Sequence, residues 1–233
     1  CLNNQKIKAK SLLSWQIPII TSSEHMKSRI LSINKKFLYD ELENFEVLLI
    51  PGFQGINNKG ELTTLGRGGS DTSAVAVAAA METECIIYTD VEGVFTTDPN
   101  IVPKAKKINK ISYEEMLELA SQGAKVLQTR SVELAMRKNT KLSVRSSFKP
   151  KKIGTMITDE KSILENNTVS GITYSKDEAK ITLSRVQDKP GVSSKIFGPL
   201  AKGNINVDMI LQNISQDGKF ANLSFTLPRL DLE

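Results

Sequence analysis

The chain has 233 residues, which is enough for one large domain or two smaller ones, each with its own hydrophobic core. Its 31 basic and 26 acidic residues leave a mild net charge of +5, and no arginine-rich stripe carries interleaved aromatic residues, so nucleic-acid binding is not expected. Two cysteines form no disulfide framework, the single histidine, His25, excludes a multi-histidine metal site, and no apolar run approaches the ~20 residues of a transmembrane helix, so we expect a cytoplasmic protein that does not contact a membrane.

The first predicted elements are short strands and one helix. Residues 16–20 are largely apolar and predict a strand, and a helix is predicted from about residue 35 to residue 44. Residues 47–50 form a continuous apolar run closed by a proline and a glycine, which is typical of a strand that is covered on both faces in a parallel sheet. The loop at residues 57–60 then predicts a β-hairpin.

A glycine-rich turn, residues 66–71, leads directly into an alanine-rich segment that predicts a helix with apolar residues on nearly all sides, and such a helix is buried. The free backbone N–H groups and the positive end of the helix dipole then face the turn and favour an anion. Arg67 adds a planar guanidinium that holds a carboxylate or a phosphate through two hydrogen bonds. From spacing alone, a plain turn in which Ser70 or Asp71 caps the helix explains the pattern equally well.

Residues 85–88 predict another buried strand, which ends at Thr89 and Asp90. Strand, glycine turn, helix and strand in succession are typical of an α/β fold, in which ligands bind beyond the carboxyl ends of the strands. Thr89 and Asp90 fall at such an end. The residues at 97–100 have, on their own, the composition of a simple turn.

Two helices and a strand complete the first part of the chain. Ser112 and Glu115 have the spacing of a capping box at the start of the first helix. The second helix is amphipathic and ends near Asn139, and residues 142–145 predict a strand. The residues of the second helix that are predicted to share its apolar face are Val132, Ala135 and Met136.

The composition of residues 149–168 is that of a connector between two domains. We therefore predict a first domain at residues 1–148, a linker at residues 149–168 and a second domain at residues 169–233. The second domain has the element order β-α-β-β, because two alternating runs follow a helical run that itself follows a strand.

The elements of the second domain show clear periodicity. Along residues 205–212 apolar side chains alternate with polar ones, so one face of this strand is expected to contain Ile205, Val207, Met209 and Leu211. The opposite, polar face of this strand contains Asn206, Asp208 and Gln212. The apolar face of the helix contains Val192, Ile196, Phe197, Leu200 and Ala201. The inward residues of the last strand are Ala221, Leu223, Phe225 and Leu227.

Three motifs resemble, in order and spacing, the aspartate kinase branch of the amino acid kinase family. They are Gly-Phe-Gln-Gly at residues 52–55, Thr-Thr-Leu-Gly-Arg-Gly-Gly-Ser-Asp at 63–71 and Tyr-Thr-Asp-Val-Glu-Gly-Val-Phe-Thr-Thr-Asp-Pro at 88–99. Asp-Lys-Pro-Gly at 188–191 and the run at 204–213 resemble the first regulatory ACT domain of these enzymes. The implied fold is α/β, with part of a three-layer αβα sandwich that has a mainly parallel sheet, followed by an incomplete ferredoxin-like α+β (ACT) domain.

The resemblance implies transfer of the γ-phosphoryl group of ATP, with Mg²⁺, to the side-chain carboxylate of L-aspartate. This reaction is the first step of lysine, threonine and methionine (diaminopimelate) biosynthesis. The residues implied for aspartate binding are Thr64, Arg67, Gly68, Gly69 and Ser70. Those implied for catalysis are Arg67, Ser70 and Asp71. Those implied for ATP binding are Thr89, Asp90, Phe95, Thr96, Thr97, Asp98, Pro99, Asn100, Lys125 and Val126.

The ACT resemblance also implies feedback regulation. An amino acid effector, lysine or threonine or both, is expected because these are end products of the implied pathway. The positions that match effector-binding residues are Asp188, Ser193, Asn206, Asp208 and Gln212. For Asn206 and Asp208 an exposed strand face is an equally good interpretation. ACT domains pair side by side, so the resemblance implies a homo-oligomer.

Several positions depart from the family pattern. The family opens with Lys-Phe-Gly-Gly-Thr, which occurs nowhere in this chain, and Phe95, Asn100 and Gln128 stand where tyrosine, arginine and histidine are common. The chain also begins without methionine, so we expect a fragment or subunit that has little or no kinase activity alone. The alternatives are a non-catalytic regulatory or assembly subunit of an aspartate kinase, and another amino acid kinase.

Overall fold

The computed structural model describes residues 2–13, 15–17, 19–124, 126–160, 169–175, 177–203, 205–214 and 220–232. The chain divides into two compact units, Cys1–Tyr174 and Ser175–Glu233.

The first unit contains a short 3-10 helix (Leu2–Gln5), ten strands and four helices among its described residues. The strands are β1 (Ala9–Ser11), β2 (Ile19–Thr21), β3 (Ile30–Ile33), β4 (Val47–Leu49), β5 (Gln54–Ile56), β6 (Leu62–Thr64), β7 (Cys85–Thr89), β8 (Lys110–Ser112), β9 (Leu142–Ser146) and β10 (Thr155–Thr158). The helices are α1 (Lys35–Leu42), α2 (Gly69–Ala80), α3 (Tyr113–Ser121) and α4 (Thr129–Lys138).

The strands of the first unit form three sheets, with the orders β1-β4, β3-β2-β5-β6 and β7-β9-β10-β8. The pairs β1/β4, β2/β5, β7/β9 and β8/β10 are parallel, and β5 and β6 form the predicted antiparallel hairpin. Strands alternate with helices along the chain, so the predicted α/β class is confirmed. Strand β10 lies inside residues 149–168, where the composition predicted a connector.

Two expectations about the early strands are wrong. The predicted strand at residues 16–20 begins only at Ile19, and Gln16 and Ile17 belong to the preceding turn. Strand β4 was expected to be covered on both faces, yet the side chain of Leu49 is 51% exposed. Among the described residues β4 pairs only with β1, so the apolar run has no second neighbouring strand to cover it.

Helix α2 lies between two hydrophobic clusters and contributes to both. Val75 and Ala78 belong to the larger cluster, which also contains residues of α3, α4, β7 and β9. Val77 packs against the smaller cluster around Leu12, Ile17, Ile19 and Leu38. Beyond Ser70 every residue of α2 is buried or half-buried, which confirms the prediction from its all-round apolar sequence. Small alanine side chains let neighbouring elements approach this helix from several sides.

Helix α3 begins and helix α4 ends where the sequence predicts. Ser112 caps α3, its hydroxyl accepts the N–H of Glu115, and the carboxylate of Glu115 accepts the N–H of Ser112, so the capping box is confirmed. Helix α4 ends at Asn139 in a left-handed conformation. Its residues Val132 and Ala135 are buried, but Met136 is 36% exposed, so its predicted place on the buried face is wrong.

The second unit has the predicted β-α-β-β order: β11 (Glu178–Gln187), α5 (Val192–Lys202), β12 (Asp208–Ile214) and β13 (Phe220–Pro228), followed by a 3-10 turn (Arg229–Leu232). The sheet is antiparallel with β13 in the centre. The four inward residues predicted for β13 are all buried. Phe197 of α5 packs edge-to-face on Phe225, with 5.3 Å between the ring centroids.

The alternation predicted for β12 breaks at a bulge. Asp208 pairs with Thr226, but the register then shifts and Leu211 pairs with Ser224, because Met209 has a left-handed φ of 44°. The side chains of Met209 and Leu211, which the alternation places on one apolar face, are 61% and 50% exposed. In the preceding helix α5, Ala201 is exposed as well, whereas the other predicted face residues are half-buried.

Candidate functional site

The glycine turn before α2 has two left-handed residues, Gly66 with φ of +81° and Gly68 with φ of +69°. Gly68 is the N-cap of α2, so the alternative in which Ser70 or Asp71 caps the helix is wrong; both lie in its first turn. A Cβ atom at Gly66 would lie 2.0 Å from the carbonyl oxygen of Met26, and one at Gly68 would lie 1.9 Å from Cγ of Gln128. Glycine is therefore required here for conformation and for space.

Backbone hydrogen bonds leave part of the helix start unsatisfied. The N–H of Gly69 donates to the carbonyl of Gly66 at 3.0 Å, and the N–H of Thr72 donates to the carbonyl of Gly68 at 3.2 Å. Among the described residues, the N–H groups of Ser70 and Asp71 have no backbone acceptor. These two donors and the positive end of a buried helix form an arrangement that stabilises an anion.

The segment with the Gly-Phe-Gln-Gly motif lies directly against the first turn of α2. Gly52 approaches Ser70 so closely that a Cβ atom would lie 3.0 Å from Cα of Ser70. The N–H of Phe53 donates to Oγ of Ser73 at 3.0 Å, and this hydroxyl donates to the carbonyl of Gly69 at 2.7 Å. Phe53 has a left-handed φ of 73°, which is rare for a bulky residue. Sequence reasoning missed Ser73, because a serine inside a helix carries no signal of a distant partner.

Arg130 supports the turn from α4 and was also missed. Its guanidinium donates to the carbonyl of Leu65 at 2.7 Å and to the carbonyl of Ser28 at 2.5 Å. The hydroxyl of Thr64 accepts the N–H of Met26 at 3.0 Å. The loop before β3 is thereby fastened to Thr64 and Leu65, immediately before Gly66. The side chain of Arg67 itself is exposed and lines a cavity of about 800 Å³.

Asp71 joins the starts of two helices, because its carboxylate accepts the backbone N–H of Gln128, the N-cap residue of α4. Burial raises the pKa of Asp71 above its ordinary value, and the hydrogen bond from Gln128 partly offsets this effect. Burial, with a smaller contribution from the charge of Asp71, raises the pKa of the Cys85 thiol to about 11. This thiol is therefore protonated and unreactive near neutral pH.

Thr89 and Asp90 lie at the carboxyl end of β7, as predicted. The hydroxyl of Thr89 donates to the carboxylate of Asp90 at 3.0 Å, and the carbonyl of Thr89 accepts the N–H of Ser147 at 2.8 Å. Because β9 runs parallel to β7, its last residue, Ser146, ends at the same edge of the sheet. This edge is the place where open α/β sheets bind ligands.

The loop that follows is held by hydrogen bonds at both ends. The N–H of Thr96 donates to the carbonyl of Lys106 at 2.9 Å, and the N–H of Lys106 donates to the hydroxyl of Thr96 at 3.1 Å. The carboxylate of Asp98 accepts the N–H of Asn100 at 2.9 Å, so the segment forms the turn that its composition indicates. Phe95 and Thr97 are half-buried, and Pro99 is exposed.

Thr155 of β10 anchors the start of this loop and was not found from the sequence. Its hydroxyl accepts the N–H of Val94 at 2.8 Å and donates to the carbonyl of Ile108 at 2.5 Å. Gly93 passes so close that a Cβ atom there would lie 2.6 Å from this hydroxyl. Thr155 is fully buried. A single threonine in a range with connector composition gives no sequence signal for such a role.

The structure brings some of the predicted site residues together. Gly68 and Asp71 contact Gln128, and Val126, two residues earlier, is half-buried against the larger core cluster. Lys125 lies outside the described residues. None of the hydrogen bonds found among the described residues links the loop at residues 93–100 to the turn at residues 66–71.

The predicted effector residues are brought together only in part. The side-chain amide of Gln212 donates to the carboxylate of Asp188 at 3.1 Å, and Ser193 lies in the first turn of α5. Asn206 is exposed, and the carboxylate of Asp208 accepts the N–H of Met209 at 2.8 Å. The bulge turns Gln212 to the face of Leu223 and leaves Asp208 on the face of Thr226, so the single polar face predicted for β12 is wrong.

The part of the chain that the structure describes lacks two further kinds of feature. It contains no group of three or more histidine, cysteine, aspartate or glutamate side chains that could hold a metal ion. None of its helices has the length and apolar character needed to cross a lipid bilayer.

The sequence matches the profile of the amino acid kinase family over residues 1–146 and the profile of the ACT domain over residues 181–233. An aspartate kinase from Pseudomonas putida is 49% identical over 229 residues, which cover 97% of this chain and 55% of that protein. An aspartokinase from Helicobacter pylori is 49% identical over 231 residues, with 97% and 56% coverage. The chain thus spans about half the length of the curated relatives it matches.

Solved structures show the same likeness. E. coli aspartokinase III in complex with lysine and aspartate matches with a TM-score of 0.75 at 28% identity, over 97% of this chain and 50% of that one. The same enzyme in complex with aspartate and ADP matches with a TM-score of 0.67. Aspartate kinase from Synechocystis is 40% identical, with a TM-score of 0.59 and coverage of 97% and 38%.

Proposed function

Because this chain belongs to the amino acid kinase family, we propose that it supplies the aspartate-binding turn and the nucleotide segment of an aspartate kinase. The enzyme would transfer the γ-phosphoryl group of ATP to the side-chain carboxylate of L-aspartate and form 4-phospho-L-aspartate. The observation that carries this proposal is the turn at residues 66–71. It combines an exposed guanidinium with two free N–H groups at the start of a buried helix.

The proposed reaction needs little acid–base chemistry from the protein. The side-chain carboxylate of free aspartate, with a pKa of about 3.9, is already an anion at neutral pH and attacks the γ-phosphorus directly. Catalysis then depends on placing two anions together and on offsetting their charge. Arg67 would hold a carboxylate of aspartate through two hydrogen bonds, while the N–H groups of Ser70 and Asp71 offset negative charge. Thr64, Gly68 and Gly69 would complete the binding turn.

ATP would lie along the carboxyl end of β7. Thr89, Asp90 and the loop at residues 95–100 would hold the nucleotide, together with Val126 and Lys125. Mg²⁺ binds oxygen ligands and usually takes one or two protein carboxylates and several phosphate oxygens. Asp71 and Asp90 would supply the carboxylates of such a partial shell, and Mg²⁺ would offset phosphate charge when it is bound with ATP.

The second unit would provide feedback control. Aspartokinase III of E. coli has been solved with bound lysine, which supports lysine or threonine as the effector class for the ACT-like unit. The contact between Gln212 and Asp188, near the start of α5, is the part of the predicted effector site that the observed geometry supports. Pairing of ACT units into a homo-oligomer belongs to the same proposal.

A chimeric enzyme tests the reaction. The chain is joined to the segments of the Pseudomonas putida kinase that it does not cover, and aspartyl hydroxamate is measured with ATP, Mg²⁺ and hydroxylamine. We expect activity in the chimera, and a loss of about a hundredfold or more in kcat/KM for Arg67→Ala, because one charged contact to the reacting groups is removed. Lys59→Ala, an exposed cation in the β5–β6 hairpin, is the matched control. A chimera that folds but phosphorylates another acceptor would contradict the substrate assignment.

The 233-residue chain alone provides the complementary measurement. We expect little or no hydroxamate, because the lysine of the family's opening motif does not occur in this sequence. Steady hydroxamate formation by the purified chain would contradict this expectation and would place a sufficient catalytic set within these residues.

A further inference from the structure

A cavity of about 800 Å³ in the first unit lies among β3, α2, α4 and the loop before β3. We call it the cationic pocket and define it by six basic residues of its lining: Lys27, Arg29, Arg67, Arg130, Arg137 and Lys138. Among the described residues of the lining, Glu133 is the one acidic residue. The net charge of the lining, six minus one or +5, equals the net charge of the whole chain, 31 minus 26. The rest of the protein is therefore neutral in sum.

Two of the six cationic side chains, those of Arg130 and Arg137, already have partners within the protein. Arg137 forms an ion pair with Glu133 at 2.5 Å, and Arg130 donates to the carbonyl groups described above. For the other four, Lys27, Arg29, Arg67 and Lys138, no salt bridge is found among the described residues. Like charges collected around one cavity repel each other, and a bound anion relieves that repulsion.

The floor of the cationic pocket is apolar. Ala76, Ala79 and Ala80 of α2 form part of it, and because their side chains are small they leave room between the helix and β3. Leu134 and Ile30 add larger apolar surfaces. A pocket with an apolar floor and charged walls suits an organic ligand that carries several negative charges, because small-molecule sites combine apolar surface with a few placed polar groups.

We propose that the cationic pocket binds a small phosphate-bearing polyanion, either a nucleotide polyphosphate or an inorganic polyphosphate. A chain of phosphate groups carries several charges that can face separate cations, whereas a single carboxylate offers one charge for the four unpaired side chains. Among the residues that the structure describes, none of those proposed above to hold ATP lines this cavity. The cationic pocket is therefore a second anion site, separate from the nucleotide of the reaction.

Arg67 connects the two sites. It lines the cationic pocket, and under the proposed function it also holds the aspartate substrate. A polyanion that draws the guanidinium into the pocket removes it from the substrate, so binding of the two ligands is competitive. This consequence rests on the proposed function, whereas anion binding in the cationic pocket does not.

Direct binding to the 233-residue chain tests the pocket. Tripolyphosphate and ATP are titrated calorimetrically without aspartate, at low and at several-fold higher ionic strength. We expect both to bind, with weaker binding at high salt. The double variant Arg29→Gln with Lys138→Gln is expected to weaken binding by about tenfold or more, because two charge-assisted contacts are lost. Lys59→Gln, outside the pocket, is expected to leave the affinity unchanged.

A second variant moves the affinity in the opposite direction, which misfolding cannot mimic. Glu133→Gln removes the acidic side chain found among the described lining residues and frees Arg137, so binding is expected to tighten several-fold. Glu43→Gln changes the net charge of the chain equally, but Glu43 is the C-cap residue of α1 and does not line the pocket, so we expect no effect. Tighter binding of ATP than of tripolyphosphate would identify a nucleotide as the ligand, and equal binding would identify the phosphate chain alone.

The proposal is overturned if neither anion binds, or if binding is insensitive to the Arg29, Lys138 and Glu133 changes. ATP binding that is lost in Asp90→Ala but kept in the pocket variants would also overturn it, because the nucleotide would then occupy only the site of the reaction. None of these outcomes bears on the chimeric kinase assay, so failure of the pocket and failure of the proposed function remain distinguishable.

Discussion

At the scale of single residues, the candidate site depends on close approach between groups far apart in sequence. Gly68 packs against the side chain of Gln128, and the carboxylate of Asp71 accepts the backbone N–H of the same residue. Gln128 thus holds the start of α4 against the start of α2. Helix α4, which follows the proposed nucleotide segment, therefore helps to fix the conformation of the turn that is proposed to bind aspartate.

Gly68→Ala is expected to destabilise the protein by more than a left-handed alanine alone, which costs about 1 to 2 kcal/mol. The added methyl group meets Cγ of Gln128 at 1.9 Å. The control is Gly60→Ala, since Gly60 has a φ of +78° but no atom within 4 Å of the new Cβ. Urea unfolding of both variants checks this difference. Adding Gln128→Ala should recover part of the loss in Gly68→Ala and none in Gly60→Ala.

Replacement of Asp71 by asparagine is expected to affect the stability and the activity of the protein differently. Because burial raises its pKa, the ionised carboxylate is less favourable in the folded state than in the unfolded state, and Asp71→Asn is expected to equal or exceed the original chain in stability at neutral pH. The difference should vanish as the pH falls below about 4, where the carboxyl is protonated in both states. Asp71→Ala leaves the N–H of Gln128 without its acceptor and should cost about 1 to 2 kcal/mol.

Thermal unfolding from neutral to acidic pH measures both effects. In the chimeric kinase, Asp71→Asn should lose most activity despite its stability. Full activity of this variant would contradict a catalytic role for the carboxylate and leave it a structural link only.

At the scale of elements, the strands and helices are positioned by residues at their ends. Helix α3 is an example, because Glu115 accepts hydrogen bonds from the N–H and the hydroxyl of Ser112 and from the hydroxyl of Ser170. Residues 170–173 are thereby held along α3, and the N–H of Ile172 donates to the carbonyl of Thr96 at 2.7 Å. The last segment of the first unit is therefore fastened both to a helix start and to the proposed nucleotide loop.

Glu115→Ala is expected to lower the free energy of unfolding by about 1 to 2 kcal/mol, because the helix cap and the contact with Ser170 are lost together. Burial alone would raise the pKa of Glu115, but hydrogen bonds from Ser170 and Ser112 hold it below its ordinary value. Its stabilising contribution is therefore complete above about pH 4.3 and is lost as the pH falls through the lowered folded-state pKa.

The matched control is Glu114→Ala, an exposed carboxylate in the same helical turn, for which we expect a change below about 0.5 kcal/mol. Chemical unfolding of both variants at neutral and acidic pH provides the measurement. Equal losses at the two positions would mean that the hydrogen bonds of Glu115 do not stabilise the helix start beyond its helix-dipole effect.

At the scale of the whole molecule, local sequence patterns predicted where helices and strands lie better than they predicted which of their residues are buried. Periodicity and turn chemistry located α2, the capping box of α3 and the end of α4 at Asn139, because each depends on residues close in sequence. Burial of Leu49 was predicted wrongly and the alternation along β12 breaks at Met209, because the face and the burial of a strand residue depend on its neighbouring strands and on register.

The same distinction applies to the candidate site. The glycine turn was visible in the sequence because conformation and anion binding both require special residues at fixed spacing. The supporting residues, Ser73 and Arg130 at the glycine turn and Thr155 at the loop that starts at Gly93, were invisible, since each acts through hydrogen bonds to backbone groups that are distant in sequence. Their residue types are common at positions that have no such partner.

The position of α2 between two hydrophobic clusters affects how the first unit unfolds. A helix that belongs to both clusters cannot detach from one without exposing apolar surface of the other, so partial unfolding on either side is costly. The amide hydrogens of α2 should therefore exchange with solvent deuterium only through global unfolding, and more slowly than those of α1. The rigid support behind the glycine turn is then the last part of the unit to melt.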